Sequence, residues 1–216
     1  MKVVLTGLLL LVVNSAWAQP FSRAGLREYS LQPFLLDADT YQFEEGAQAR
    51  IDGGYGLGLG YNWHLNDYLA LGVDFSLSET DYRARVTRPG GGFARDASGS
   101  LERGTMRLHG TWHLLSGRTT PLINAGLGFT YLDPELESAP AVGGCFNYPF
   151  WGRVCGSEPT HGITRFTYAL GAGIRHDLPG NYGFVRLMVS GEWIDWDGTP
   201  ERLEALEFRV DFGARY

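Results

Sequence analysis

Beyond Lys2 the chain contains no lysine, and its 18 basic residues are outnumbered by 24 acidic ones in 216 residues. A basic stripe able to neutralise a run of phosphates is therefore missing, so no nucleic-acid partner is expected. Long apolar runs are scarce as well. The single one, Val3 to Val13, is shorter than the roughly 20 residues a spanning helix needs, which excludes a helical membrane protein. Cysteine is limited to Cys145 and Cys155, close together in a stretch rich in glycine, proline and aromatics. In an oxidising compartment a disulfide between them is expected. Free thiols or metal ligands are the weaker alternative, because neither a histidine nor a second cysteine pair stands at zinc-site spacing.

What is present begins with an export signal. Lys2, the apolar run and Ala16-Trp17-Ala18 before Gln19 have the layout of a cleavable signal peptide, so residues 1–18 are expected to be removed and residues 19–216 to form one domain. That domain is rich in glycine and aromatics, and its segments alternate apolar with polar residues, the period of strands rather than helices. Eight strands are expected: Tyr29 to Ala38, Gly53 to His64, Tyr68 to Tyr82, Leu101 to Leu114, Pro121 to Leu132, Ile163 to Asp177, Gly183 to Ile194 and Leu203 to Tyr216. In the last, Phe208, Val210, Phe212, Ala214 and Tyr216 share one face and Glu207, Arg209, Asp211, Gly213 and Arg215 the other.

A soluble sandwich also alternates, so the polar face has to decide. Facing bulk water it would be expected to carry lysine. Instead it holds glycine, serine, threonine, asparagine and charges of both signs, a mixture suited to a narrow polar lumen. Gly54, Gly56, Gly58 and Gly60 lie on one face of the second strand, as crowding inside a small closed barrel requires. Aromatic residues collect at both ends of the apolar face: Trp63, Trp112 and Tyr216 at one end, Phe129, Tyr131, Phe166, Tyr168, Trp193 and Phe208 toward the other, with aliphatics between. Two girdles around an aliphatic band match two membrane interfaces. Short links near Asn66-Asp67, Ser116 to Thr119 and Pro179 to Asn181 alternate with long ones at Asp39 to Asp52, Arg83 to Ser100 and Asp133 to Gly162. The pattern reads as an all-β, eight-stranded antiparallel up-and-down transmembrane barrel with both ends in the periplasm.

These features resemble the small outer-membrane barrels, in particular the transmembrane domain of outer-membrane protein A. The resemblance is most specific in Phe208, Val210, Phe212 and Tyr216, which look like the insertion signal read by the barrel assembly machinery, although that family usually ends in Phe. It implies outer-membrane lipid as the surroundings and a charged substitution at Tyr216 as an assembly defect. The peptidoglycan-binding domain of outer-membrane protein A has no counterpart here, so cell-wall tethering is not implied.

The residues suggest no catalytic arrangement, and neither a cofactor nor a metal is expected. The His-x-Ser pair that lipid A deacylases of this architecture carry is missing. His109 and His113 both face inward, but about 13 Å apart along a strand, too far for one zinc ion. His64, His161 and His176 read as strand-end or loop residues. Asp74, Arg107, Arg175, Arg186, Glu192, Glu207, Arg209 and Asp211 face inward and are read as an ion-pair network filling the lumen, and a hairpin centred near Gly90 to Gly91 puts Asp74 almost opposite Arg107. The competing reading is a pore or proton path. Phe146, Tyr148, Phe150 and Trp151 lie between the cysteines, either as an exposed contact surface for an extracellular ligand or as packing over the barrel mouth. The expected protein is a monomer with a structural or surface-interaction role. A narrow channel or carrier and a lipid-modifying enzyme are the alternatives.

Overall fold

A computed structural model of the chain describes residues 22–43, 46–90, 93–135, 144–155, 162–180, 182–195 and 203–216. The proposed signal peptide and His161 lie outside these residues. Eight long strands carry the fold: β1 (Arg27–Leu36), β4 (Gly54–His64), β5 (Leu69–Thr87), β6 (Phe93–His113), β7 (Thr119–Pro134), β10 (Ile163–Asp177), β11 (Gly183–Ile194) and β12 (Leu203–Arg215). Each pairs antiparallel with its predecessor in that series, and β12 returns to β1, closing an eight-stranded barrel. At one rim Arg27 and Tyr216 exchange backbone hydrogen bonds of 3.4 and 3.1 Å, so both ends of the barrel meet at what we call the terminal rim. The closing seam skips Gln32 and Pro33, where the proline has no N–H to donate to β12.

Side chains alternate as the period of two dictates. Leu71, Phe75 and Leu77 of β5, Leu108 of β6, Leu127 of β7 and Phe212 of β12 stand on the outside. Asp74, Arg107, Asn124 and Asp211, on the same strands, are buried inside. Outward rings meet near both rims: Tyr29 packs between Tyr61 and Tyr216 at the terminal rim, while Phe129 meets Phe166 and Tyr168 stacks on Trp193 toward the other. The glycine face of β4 is filled from β1. A Cβ at Gly56 would lie 2.2 Å from the Phe34 ring, and one at Gly60 2.2 Å from the Gln32 amide nitrogen.

The loop rim departs from expectation. The segments Arg83 to Ser100, Asp39 to Asp52 and Asp133 to Gly162, read as loops, contain strands. β5 and β6 run on together well past the apolar band, and only residues 88–92 connect them. β2 (Asp39–Gln42) and β3 (Gln48–Ile51) form a hairpin whose second strand adds to β5 at Tyr82 to Arg85. β8 (Cys145–Tyr148) and β9 (Gly152–Cys155) form another, which touches β5 where Asn147 pairs with Thr87. The physical reason is that alternation continues with its polarity reversed. Tyr82, Ala84 and Val86 are apolar and buried on the inner side, whereas Arg83 and Arg85 are exposed on the outer side. Charges on the outer face end a lipid-facing pattern without ending the strand. Among the described residues the packed cluster of buried apolar side chains lies here, at the loop end of the barrel, while Phe34, Leu122, Phe184 and Met188 are buried singly among the polar groups of the lumen.

Candidate functional site

The inside of the barrel is a stack of ion pairs closed at one end by an apolar roof. At the terminal rim the turn residue Asn66 accepts two backbone N–H bonds, from Tyr68 and Leu69, both at 2.8 Å. Its neighbour Asp67 accepts from the backbone N–H of Arg23 at 2.6 Å and from the Ser22 hydroxyl at 2.9 Å. Burial, the largest single influence, raises the Asp67 carboxyl, but the hydrogen bonds from Ser22, Arg23 and Ala24 together outweigh it and hold the group below the usual carboxylate range. Thus anchored, the N-terminal segment drops Arg23 into the barrel, where it donates to Asp177 and to the Gly117 carbonyl at 2.6 and 2.5 Å.

Around Arg23 lies the first cluster. Arg175 donates to both Glu28 oxygens at 2.8 and 2.5 Å and to Asp177 at 2.7 Å, and its guanidinium sits 3.9 Å from the centre of the Phe184 ring. Arg215 reaches Asp177 at 3.1 Å. His64 approaches Glu28 at 3.0 Å and packs on His113 with ring centres 5.3 Å apart.

The second cluster centres on Asp74. Its carboxylate lies 3.4 Å from Arg209, 3.1 Å from His109 and 3.8 Å from Arg107, the residue directly opposite it on β6. Gln32 donates to its other oxygen at 3.0 Å. Asp211 pairs with Arg186 and Arg209, and Glu207 lies 3.6 Å from Arg209. Arg107 continues to Glu192 at 3.4 Å, where Arg103 and the Thr167 hydroxyl also converge, at 2.5 and 2.9 Å. Every inward charge named from sequence is thus a member of one of these clusters.

Above Glu192 the chemistry changes abruptly. Leu101, Leu132, Ile194 and Leu203 form an apolar ring, roofed by Tyr41, Phe43, Tyr82 and Phe150. Phe150 is 1% exposed, with its ring centre 5.7 Å from Phe43 and 5.4 Å from Tyr82. The Tyr41 hydroxyl donates to the Glu204 carbonyl and ties β2 over β12. Burial pushes the Tyr41 and Tyr82 phenols above their ordinary pKa. The expected disulfide Cys145–Cys155 is present and bridges β8 to β9, bracketing the turn that inserts Phe150.

Of the two readings of the disulfide-loop aromatics, the exposed contact surface is overturned and the packed one holds: Tyr148 and Phe150 are buried, and Phe146 and Trp151 are half-buried against the same core. A chain of alternating apolar residues above the bilayer supplies the surface on which they pack. His64 does end β4, as expected, but it is fully buried beside Glu28, whereas His176, near the end of β10, is exposed and bonded to Thr119 at 2.8 Å. Sequence reading left Glu28 and Arg103 unassigned, and put Arg215 on the polar face of the last strand without counting it in the network, although all three have the inward parity on β1, β6 and β12. Arg23 had no such signal, since it precedes every strand.

Neither a protein-family model nor a curated protein matches this chain. Solved structures do. Neisserial surface protein A is 9% identical, with 90% of this chain covering 97% of that one at a TM-score of 0.51. The outer membrane protein OprG from Pseudomonas aeruginosa is 13% identical, with 89% covering 96% at a TM-score of 0.51. The chain has the fold of the small outer-membrane β-barrels. At such low identity the likeness extends to the barrel and its strand order, and the ion-pair clusters and the roof are features of this chain's own residues.

Proposed function

We propose that the protein is a monomeric, non-conducting and non-catalytic barrel of a Gram-negative outer membrane. The lipid-facing wall anchors it, the loop rim projects outward, and that rim is where it meets other molecules. On this reading residues 1–18 are the cleaved export signal, and Phe208, Val210, Phe212 and Tyr216 present the last strand to the assembly machinery. The observation that carries the proposal is the filling of the lumen. Seven arginines (23, 103, 107, 175, 186, 209 and 215) interleave with six carboxylates (Glu28, Asp74, Asp177, Glu192, Glu207 and Asp211) from the terminal rim to the apolar roof. Such near-balance favours a fixed, mutually neutralised network over a path selecting one sign of ion. An eight-stranded barrel also has an interior that side chains just fill.

The test is single-channel conductance of purified protein in a planar bilayer, after heat-modifiable gel migration has verified folding. Silence is the expected result. Steady conductance from folded protein would overturn the closed lumen and make the same charges selectivity determinants.

A further inference from the structure

The reversed polarity of the loop-rim strands leaves one row of side chains that the fold does not need. On the outer face of the projecting sheet, Thr40 of β2 pairs with Arg50 of β3, Arg50 with Arg83 of β5, and Arg83 with Ser98 of β6. All four are exposed, and their side chains offer hydroxyls and guanidinium groups, with exposed carboxylates bracketing the row: Asp81 two residues nearer the lipid on β5 and Asp96 one row farther out on β6. Like charges directly opposite each other on neighbouring strands destabilise a sheet. Arg50 and Arg83 nevertheless stand in that relation, with side chains 61% and 66% exposed, and share a single carboxylate, Asp52, at 3.5 and 3.0 Å. The next row outward adds Gln48 and Arg85, the latter 3.9 Å from Asp96. Thr40, Gln48, Arg50, Arg83, Arg85 and Ser98, together with Asp96, line an open groove of about 550 Å³.

The geometry points to a phosphorylated saccharide lying across this row, and we propose that it is the phosphate-bearing sugar core of the glycolipid surrounding the barrel. Three features select it. Strands about 4.8 Å apart spread the row over about 14 Å, the length of several linked sugar and phosphate groups rather than one small anion. Arginine's planar fork matches oxyanions through paired N–H donors, and the flanking hydroxyls suit sugar oxygens. Most telling is the direction. The row belongs to the same outward face as Leu77, six residues earlier on β5, so it looks sideways over the lipid rather than away from the cell. Six residues advance about 20 Å along a strand, or about 15 Å of height at the usual tilt, which clears the few ångströms of a phospholipid headgroup layer. A partner at that height beside a barrel is the carbohydrate of a neighbouring lipid.

The inference rests on the outward placement of the loop rim proposed above, and the experiment separates the two. Membrane-impermeant maleimide on intact cells should label an Arg88→Cys variant at the hairpin tip. Absence of labelling in folded protein would overturn both readings. Given labelling, calorimetry on the refolded full chain at low salt is run with deacylated, phosphorylated core oligosaccharide, the same oligosaccharide after dephosphorylation, and a sulfated oligosaccharide of equal length. The phosphorylated core should bind, and dephosphorylation or the Arg50→Gln/Arg83→Gln pair should weaken binding at least about tenfold. Arg153→Gln, on the disulfide hairpin, should bind like wild type. Equal binding by the double variant, or tighter binding of the sulfated chain, would overturn the proposal while leaving the barrel's orientation standing.

Discussion

Strand β5 runs through two environments without changing its phase, and comparing its two halves shows what each environment demands. From Leu69 to Leu77 the outer residues are apolar and the inner ones small or polar; from Tyr82 to Val86 the inner residues are apolar and the outer ones charged. In the lower half the only place for polar groups is the lumen, so charges gather there and neutralise one another. In the upper half water surrounds the outer face, and the hydrophobic effect can again act inward. One continuous hairpin therefore supports two kinds of interior, an ion-pair stack and an apolar roof.

If the lower half depends on mutual neutralisation, removing one member should cost more than its size suggests. Asp74→Asn would leave Arg107 and Arg209 without their shared carboxylate, and a loss of about 3–5 kcal/mol is expected in urea unfolding from vesicles. A loss below about 1 kcal/mol would mean that water penetrates the cluster and the lumen is wetter than described. The upper half should instead respond to lost volume. Phe150→Ala is expected to cost about 3–5 kcal/mol of cap stability. It should be read as faster hydrogen exchange in the β5–β6 extension, while the barrel's own exchange stays unchanged. Coupled loss of both would make roof and barrel a single cooperative unit.

Outer and inner faces of the lower half can be set against each other directly. Leu127→Arg should destabilise by about 2–4 kcal/mol, and Ser76→Arg, facing the lumen side of β5, by less. Equal penalties would undo the assignment of faces. The smallest effect concerns the terminal rim. Because the folded-state pKa of Asp67 is depressed, its hold on Arg23 is present above the ordinary carboxylate pKa and is lost as pH falls through the lower, folded value. Proteolysis of the N-terminal segment should increase only in that acidic window, and Asp67→Asn should show the increased rate already at neutral pH.

The eight barrel strands and the parity of each were legible because lipid and lumen impose opposite chemistry on alternate residues. Even the cross-strand partnership of Asp74 and Arg107 followed from placing the hairpin tip near Gly90, which takes the positive φ of 92° such a turn asks for. The extension was illegible for the same reason. Arg83 and Arg85 break an apolar outer face, so the segment read as loop, and its inner residues, Tyr82, Ala84 and Val86, were never credited as a core. The roof draws Tyr41 and Phe43 from one connection, Phe150 from another and Tyr82 from the end of a strand, and no local pattern announces such a meeting. Arg23 escaped because a residue outside any strand has no parity to read.

The most direct test of this account places a nitroxide at Leu77 or at Arg83 through Leu77→Cys and Arg83→Cys variants, with the native disulfide left oxidised, in vesicle-inserted protein. The two positions share one face of one strand. Collisions with oxygen should dominate at position 77 and collisions with a water-soluble nickel chelate at position 83, a switch of solvent within one face. Lipid-like accessibility at both positions, or water-like accessibility at both, would contradict the division of the hairpin into a membrane wall and a projecting, water-borne sheet.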